Sequence, residues 1–497
     1  GTTALKIQQD STGKAISATG GIVEEGGVLK ENLLTNSGFD VWSNSTLVEA
    51  TGGAAPVLDG ANSALTNNLI TNGGFDSATT GWSSAVGAGS AATLASVGSG
   101  KTGNCLRVTA ASSTSTGAST SFTCVIGKLY QVTYHYNRGD IANLSSAIGT
   151  APYPSAGYGS IHGFGEVIGE TMTDTDFSEA VTYVFEATAT THYITIYGTM
   201  GATNEMFIDS VTAYEVTPGC VAADALAMDG WGKNSNLDIY REHSNPETTT
   251  KYGSYYALKI TNASGANRDV WFPANINDNA EWIQRFAGRT ITFGTWVKAN
   301  ASSKVRLAVY DTAFSYSSYN TGTGWEWLEI TKTVADAPEQ FNVYYDVADG
   351  TTALYCSQPM LVFGSSIGEG NYTRPQGEVV ECETDARIWD NIAISSDLGT
   401  INLEALSNGK IPKGAAAVNI SWYGTASSAA TNVLMNFRNT SSPSGYNYGN
   451  MLVSNVANQR VSNQGFVGCD PNGDVYHNHL VGTWTNVWAT IVSIKLR

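Results

Sequence analysis

The sequence has little charge. Asp, Glu, Lys and Arg make up 14% of its 497 residues, while 42% are hydrophobic, which excludes a disordered polyelectrolyte and leaves a globular chain. Basic residues are the scarcer kind, 26 Lys and Arg against 43 Asp and Glu, for a formal charge of −17. A surface of that sign repels phosphate backbones and excludes nucleic acid as the expected partner. No run of 18 apolar residues occurs, so no membrane span is expected. No charged-then-apolar leader opens the chain, but the first residue is Gly1 rather than Met, so that absence carries little weight.

Cysteines are sparse too. Cys105, Cys124, Cys220, Cys356, Cys382 and Cys469 form no C-x-x-C pair, which argues against a zinc site. Cys105 and Cys124 have the placement to bridge neighbouring strands; most of the six read as small buried hydrophobes. Catalytic signatures are missing: no G-x-S-x-G, H-E-x-x-H or Gly-rich phosphate loop is present. A glycosidase needs two carboxylates about 5 to 10 Å apart. Glu166, Asp174, Glu281 and Asp346 are available, yet nothing in the sequence pairs them. The short-strand repeat of a β-helical depolymerase is absent as well. The expectation is a protein without catalytic activity.

What is abundant is turn and strand chemistry. There are 53 Gly residues and many Ser, Thr, Asn and Ala, with short alternating runs between them. That pattern predicts an all-β chain of several β-sandwich, jelly-roll domains, three or four of them at this length. One short helix is predicted in "NAEWIQRFAG", Asn279 to Gly288.

One phrase occurs twice. "NLLTNSGFDVW" runs from Asn32 to Trp42 and "NLITNGGFDSATTGW" from Asn68 to Trp82. Only 25 residues separate Trp42 from Asn68, below the roughly 40 at which small domains usually need disulfides, metals or partners. The first start is therefore an edge piece, or it opens a domain that resumes after the second has closed.

The stretch from about Thr66 to Thr217, with strands such as "NCLRVTA", "LYQVTYHYN" and "HYITIYGTM" and the closing "FIDSVTAYEV", resembles the jelly-roll carbohydrate-binding modules attached to xylanases and glucanases. Their opening N-L-x-x-N-G-x-F-E and closing I-D-x-V match here, with Asp76 in place of the usual Glu. The resemblance implies a structural Ca²⁺ joining opening to closing strand, with Asp76 and Asp209 at the matching positions; hard oxygen ligands suit that ion. The plainer reading is that both carboxylates cap turns. The succession around it, from "NLLTNSGFDVW" to Asp229-Gly230-Trp231 and on to "NYTRPQGEVVECE", resembles a β-sandwich of bacteriophage tail-fibre and appendage proteins, in which the same opening leads into A-D-x-W. These resemblances predict a domain within a domain: an arm at 1–31, an outer sandwich at 32–65 plus 218–382, an inserted module at 66–217 and a C-terminal β domain at 383–497.

Sugar-binding candidates follow from strand alternation. In "THYITIYG", His192, Ile194 and Ile196 share one face and Tyr193, Thr195 and Tyr197 the other. With the Ile face in the core, Tyr193 and Tyr197 stand on the outer face about 13 Å apart, as stacking partners for sugar C–H faces, or else pack under a loop or another chain. "KVRLAVYD" and "FNVYYDVA" set Tyr310 and Tyr344 opposite their apolar faces in the same way. His477 and His479 in "YHNHL" either lie exposed in a turn or, on a strand in a trimer, line an axial metal site. Trp325 and Trp327 in "WEW" are expected in a sandwich core.

The resemblances imply a virion appendage or receptor-binding protein of a bacteriophage, on tail or capsid, extracellular when acting. It would be a homotrimer that meets other virion proteins through its N-terminal arm and host-cell-surface polysaccharide through its sandwiches. The arm has an alternative reading as a disordered tail. Rival functions are a secreted bacterial carbohydrate-binding protein and a purely structural decoration protein.

Overall fold

A computed structural model describes residues 31–50, 67–86, 91–111, 114–141, 144–152, 174–221, 226–243, 248–275, 280–375, 377–427, 433–439, 451–454 and 456–497. The arm up to Lys30, and Glu166, lie outside them. Among the described residues, 55% are strand and 3% helix, in several antiparallel sheets. Among the described residues, no helix is long and apolar enough to cross a membrane.

Three cores organise it. The first collects Leu33, Leu34, Phe39 and Trp42 with Met228, Trp231, Phe293, Tyr345 and Leu361. The second holds Ile70, Phe75 and Trp82 with Leu106, Tyr134, Ile194, Ile196 and Ile208. The third, C-terminal core contains Ile388, Trp422, Phe437, Trp484 and Ile491, and takes in Val41 from the opening segment. The C-terminal sandwich begins with the strand Val379–Ile394.

The strand Glu205–Cys220 ties two sandwiches together. Its first part pairs with Asn104–Thr109 and Leu129–Asn137 of the second sandwich. Its last residues pair with Leu237–His243 of the first, Gly219 opposite Tyr240 and Cys220 opposite Ile239. Alongside, Thr46–Glu49 runs antiparallel to it, Thr46 opposite Gly219 and Glu49 opposite Val216. The chain therefore leaves the first sandwich and returns to it on adjacent, hydrogen-bonded strands.

The repeated phrase has one physical job in both places. The Asn32 side chain donates to the Pro359 carbonyl at 3.0 Å and accepts from the Leu361 amide at 3.1 Å. Asn68 donates to the Val211 carbonyl at 3.3 Å and accepts from the Ala213 amide at 2.9 Å. Each thus pins an opening segment to its sandwich's closing strand. Four residues on, Asn36 and Asn72 take φ of 53° and 57°, the left-handed region that Asn tolerates best after Gly. Their amides then bond the turn: Asn36 accepts from the Asp40 and Val41 amides, and Asn72 from Ser77. Phe39 and Phe75 also take positive φ, 55° and 58°, unusual for bulky side chains. Each is fully buried against an indole, Phe39 on Trp231 at 5.4 Å and Phe75 on Trp82 at 5.2 Å between centroids.

Several expectations need correcting. Cys105 and Cys124 form no bridge: all six cysteines are free, with Cys105, Cys124, Cys220 and Cys356 buried as expected for small hydrophobes and Cys382 and Cys469 half-buried. Trp325 and Trp327 are half-buried rather than in a sandwich core. Trp327 packs on Trp296 at 5.8 Å and on a small satellite of Met360, Val362 and Ile367. His477 is not in a turn. It lies fully buried on the strand Val475–Val481, against Trp389 at 5.2 Å, and burial pushes its pKa down to about 3. The helix forms at Ala280–Phe286, with Phe286 buried and the left-handed Gly288 just beyond it.

A buried ion pair joins the outer and C-terminal sandwiches. Arg241 meets Glu404 at 2.5 Å, with side chains only 2% and 4% exposed. Tyr256 stacks under the guanidinium at 4.3 Å and donates its hydroxyl to Glu404. Burial raises the Glu404 pKa, while Arg241 and Lys413 hold it down. Removing the cation strands a buried carboxylate, so Arg241→Met should destabilise by about 3 to 5 kcal/mol, and Arg241→Met/Glu404→Leu should recover most of that loss. Urea unfolding of the three proteins measures both.

Candidate functional site

The outer sandwich presents one sheet in the order Gly232–Lys233, Arg268–Phe272, Asn342–Val347, Val305–Tyr310, Phe314–Tyr316. Its inner face is apolar: Val270, Phe272, Val305, Leu307, Val309, Val343, Tyr345 and Val347 all enter the core. Alternation then sends Asp269, Trp271, Arg306, Ala308, Tyr310, Asn342, Tyr344 and Asp346 outward. Registers set them in rows. Trp271 lies opposite Tyr344, which lies opposite Ala308, which lies opposite Tyr316. Asp269 lies opposite Asp346, and Asp346 opposite Arg306. Tyr310 lies between Asn342 and Phe314.

These rows make an aromatic surface. Phe314 contacts Tyr310 at 4.8 Å and Tyr344 at 5.2 Å edge-on, and stacks beside Tyr316 at 5.6 Å. Trp271 meets Tyr344 at 6.3 Å. Phe314 and Tyr316 are 43% and 45% exposed, a costly display of rings for a face with nothing to bind. The structure brings Tyr310 and Tyr344 together but gives them different places. Tyr344 is 5% exposed, covered by Phe314 and receiving a hydrogen bond from Gln340 at 3.0 Å. It supports the platform from below instead of offering its own ring, and burial pushes its pKa up to about 12. Tyr310 stays half-buried at the edge.

The polar row completes the surface. Arg306 binds Asp346 at 2.6 Å and lies over the Tyr316 ring at 3.7 Å and the Tyr319 ring at 4.7 Å. Burial, reinforced by the neighbouring Asp346, pushes Asp269 up to about 6. This carboxylate therefore titrates near neutrality at the border of the rings, where it would accept hydrogen bonds from hydroxyls.

On the inserted sandwich, the order is Ser83–Val86, Thr114–Thr123, Thr191–Met200, Leu144–Gly149. Ile194 and Ile196 enter the core and Tyr193 and Tyr197 face the other way, half-buried. Small residues flank them: Ser121 and Gly149 beside Tyr193, Gly117 and Ser145 beside Tyr197. Gly117 is required, because a Cβ there would lie 2.7 Å from that of Tyr197. Between the rings, Thr195 donates to Ser119 at 3.0 Å, and both are at most 3% exposed. The strip is narrower and more covered than the outer platform.

Asp76 and Asp209 both approach the loop around Gly100 and Gly103. Asp209 is fully buried and accepts from the Thr102 amide at 3.0 Å and the Ser210 amide at 2.6 Å. These bonds satisfy its carboxylate as a turn cap. Burial raises its pKa, and Asp76 adds like-charge repulsion. Among the described residues, no three His, Cys, Asp or Glu side chains cluster as a metal site.

No family model matches the sequence, and no curated protein matches it. Solved structures do. The tandem of two family 22 carbohydrate-binding modules from Paenibacillus barcinonensis Xyn10C aligns at 12% identity over 62% of this chain and all of that one, with a TM-score of 0.27. The C-terminal family 22 module of Clostridium thermocellum Xyn10B aligns at 16% identity over 28% of this chain and 89% of that one, TM-score 0.22. The enzymatically active domain of tailspike protein 4 of bacteriophage CBA120 aligns at 7% identity over 27% of this chain and 19% of that one, TM-score 0.20.

Sequence reasoning missed Phe314, Tyr316, Trp271 and Asp269. The alternating spacing in "RDVWF" and "AFSY" was the available signal. A ligand whose hydroxyls donate to ionised Asp269 should bind more tightly as pH rises through about 6. Asp269→Asn should flatten that dependence. Titration calorimetry between pH 5 and 7 reads the difference.

Proposed function

We propose that this protein is a non-catalytic glycan-binding protein, carried as an appendage of a bacteriophage virion and engaging host-surface polysaccharide through its β-sandwiches. The carrying observation is the exposed platform of Phe314 and Tyr316, backed by Tyr344 and Trp271 and bordered by Asp269, Arg306 and Asp346. Sugar rings present C–H faces to such rings and hydroxyls to such a border. Tyr193 and Tyr197 form a second, smaller strip of the same chemistry. The virion placement, the N-terminal arm as attachment segment and a homotrimeric assembly follow the resemblance of the outer sandwich to appendage proteins. Copy number would then multiply weak contacts, by roughly 100-fold or more for linked sites.

Each lost stack should cost about 1 kcal/mol. Phe314→Ala/Tyr316→Ala should therefore weaken polysaccharide binding roughly tenfold or more, with little change in melting temperature because both rings are exposed. Tyr193→Ala/Tyr197→Ala should lose less. Pull-down on host-cell polysaccharide compares the two; unchanged binding by the Phe314/Tyr316 variant removes the platform as the site. Native mass measurement tests the trimer, and antibody labelling of particles tests the virion placement.

The structural calcium is proposed for the same two carboxylates, Asp76 and Asp209. Adding Ca²⁺ to chelator-treated protein should raise the melting temperature of the inserted sandwich, and Asp209→Asn should abolish the shift. Identical melts would leave both carboxylates as turn caps.

A further inference from the structure

The acid that dominates this chain stops near its end. From Ala405 to Cys469, 65 consecutive residues contain no Asp or Glu, in a protein with 43 of them. From Ala405 to Arg497 there are two acids, Asp470 and Asp474, against six cations, Lys410, Lys413, Arg438, Arg460, Lys495 and Arg497. Residues 405–497 are thus the cationic part of a strongly anionic molecule, whereas the sandwich's first strand, Val379–Ile394, carries Glu381, Glu383, Asp385 and Asp390.

One of its faces organises that charge. The sheet runs in the order Val379–Ile394, Trp484–Leu496, Ala415–Ala426, Arg460–Gly468. Val418, Ile420 and Trp422 point into the core, so Asn419, Ser421, Tyr423 and Thr425 point out. Tyr423 lies opposite Trp488, and their rings stack at 6.1 Å and 21°. Arg460 covers the other side of Tyr423 at 3.5 Å, and Arg387 lies over Trp488 at 4.7 Å. The result is a row across four strands: Arg387, Trp488, Tyr423, Arg460. Next to it, Ser421 lies opposite Gln464 and Thr490, and Asn419 opposite Phe466, which is 52% exposed. The three strands Trp484–Leu496, Ala415–Ala426 and Arg460–Gly468 carry no carboxylate. Arg387 bonds Asp390 at 2.9 Å on the edge strand; Arg460 has no carboxylate partner among the described residues.

We propose that this face binds an acidic polysaccharide, one bearing carboxylated sugars. Stacking occupies a flat side of each guanidinium and leaves edge N–H groups, apart from the one Arg387 gives to Asp390, to grip a carboxylate. The indole and phenol hold the two guanidiniums in line across the sheet, and the amide and hydroxyl row suits ring hydroxyls. A nucleic acid also stacks and pairs with Arg, but its denser charge meets the repulsion of the whole −17 chain. The site is chemically distinct from the outer platform, whose border is acidic, and it does not depend on that platform.

The test uses the full chain with three carboxylated polymers, polygalacturonate, alginate and polysialic acid, and with methyl-esterified pectin as the uncharged counterpart. At least one carboxylated polymer should bind, weaken with salt, and lose roughly tenfold in affinity in Arg460→Gln, since one charge-assisted pair is removed. Trp488→Ala should lose a similar factor. The esterified polymer should bind at least tenfold more weakly, and Phe314→Ala/Tyr316→Ala should leave acidic-polymer binding unchanged. Arg460→Gln lies on an exposed strand face, and an unaltered melting temperature separates lost binding from lost fold. No binding to any of the three, equal binding of free and esterified polymer, or unchanged binding by Arg460→Gln would overturn the proposal. So would competition by oligothymidylate at equal affinity, or a change of oligomeric mass in Arg460→Gln, which would mark the face as a contact between copies.

Discussion

The structure depends on one antiparallel pairing, Thr46–Glu49 against Val216–Gly219. Without it, the strand Glu205–Cys220 would leave the backbone groups of its last residues unpaired on that side. With it, departing and returning backbone satisfy one another's hydrogen bonds, and Leu47 and Val216 close a small apolar cluster with Leu129, Val184, Tyr214 and Ala405. The same strand then continues into the outer sheet through Gly219 and Cys220. Gly219 leaves no room for a side chain: a Cβ would meet Val48 at 2.9 Å and Tyr240 at 3.1 Å. Side-chain bulk is excluded at the point where three strands converge.

The fold class was legible because strand alternation survives in a chain with so few helical stretches. The two opening segments were legible because the Asn residues in the repeated phrase do backbone work that no other residue type does as well. An amide both donates and accepts, so Asn32 and Asn68 each tie two segments at once. What stayed hidden depends on register. Asp269 and Asp346 are neighbours only across a ladder, and neither local sequence names the other. Phe314 and Tyr316 sit on a three-residue strand, too short for periodicity to separate from a loop. The burial of His477 came from the C-terminal core closing around Trp389 and Phe437, which "YHNHL" alone does not disclose.

Two faces of one molecule thus show opposite electrostatics around similar aromatic chemistry. On the outer sandwich, carboxylates border the rings, and the cations beside them, Arg306 and Lys332, are spent on Asp346 and Asp311. On the C-terminal sandwich the rings lie between guanidiniums. Aromatic stacking is indifferent to a sugar's charge; the flanking ions are not. On the proposed reading, the rings of each face would stack a sugar, while the polar border would set which one.

The 16-residue strand Glu205–Cys220 also has a mechanical meaning. A load applied to the inserted sandwich and resisted by the rest of the chain passes along this strand's axis. The hydrogen bonds to Thr46–Glu49 and Leu237–His243 lie across that axis, so they bear tension together in shear and cannot be opened one at a time. Any load carried between the two sandwiches along this strand would therefore meet the ladder in shear rather than by peeling.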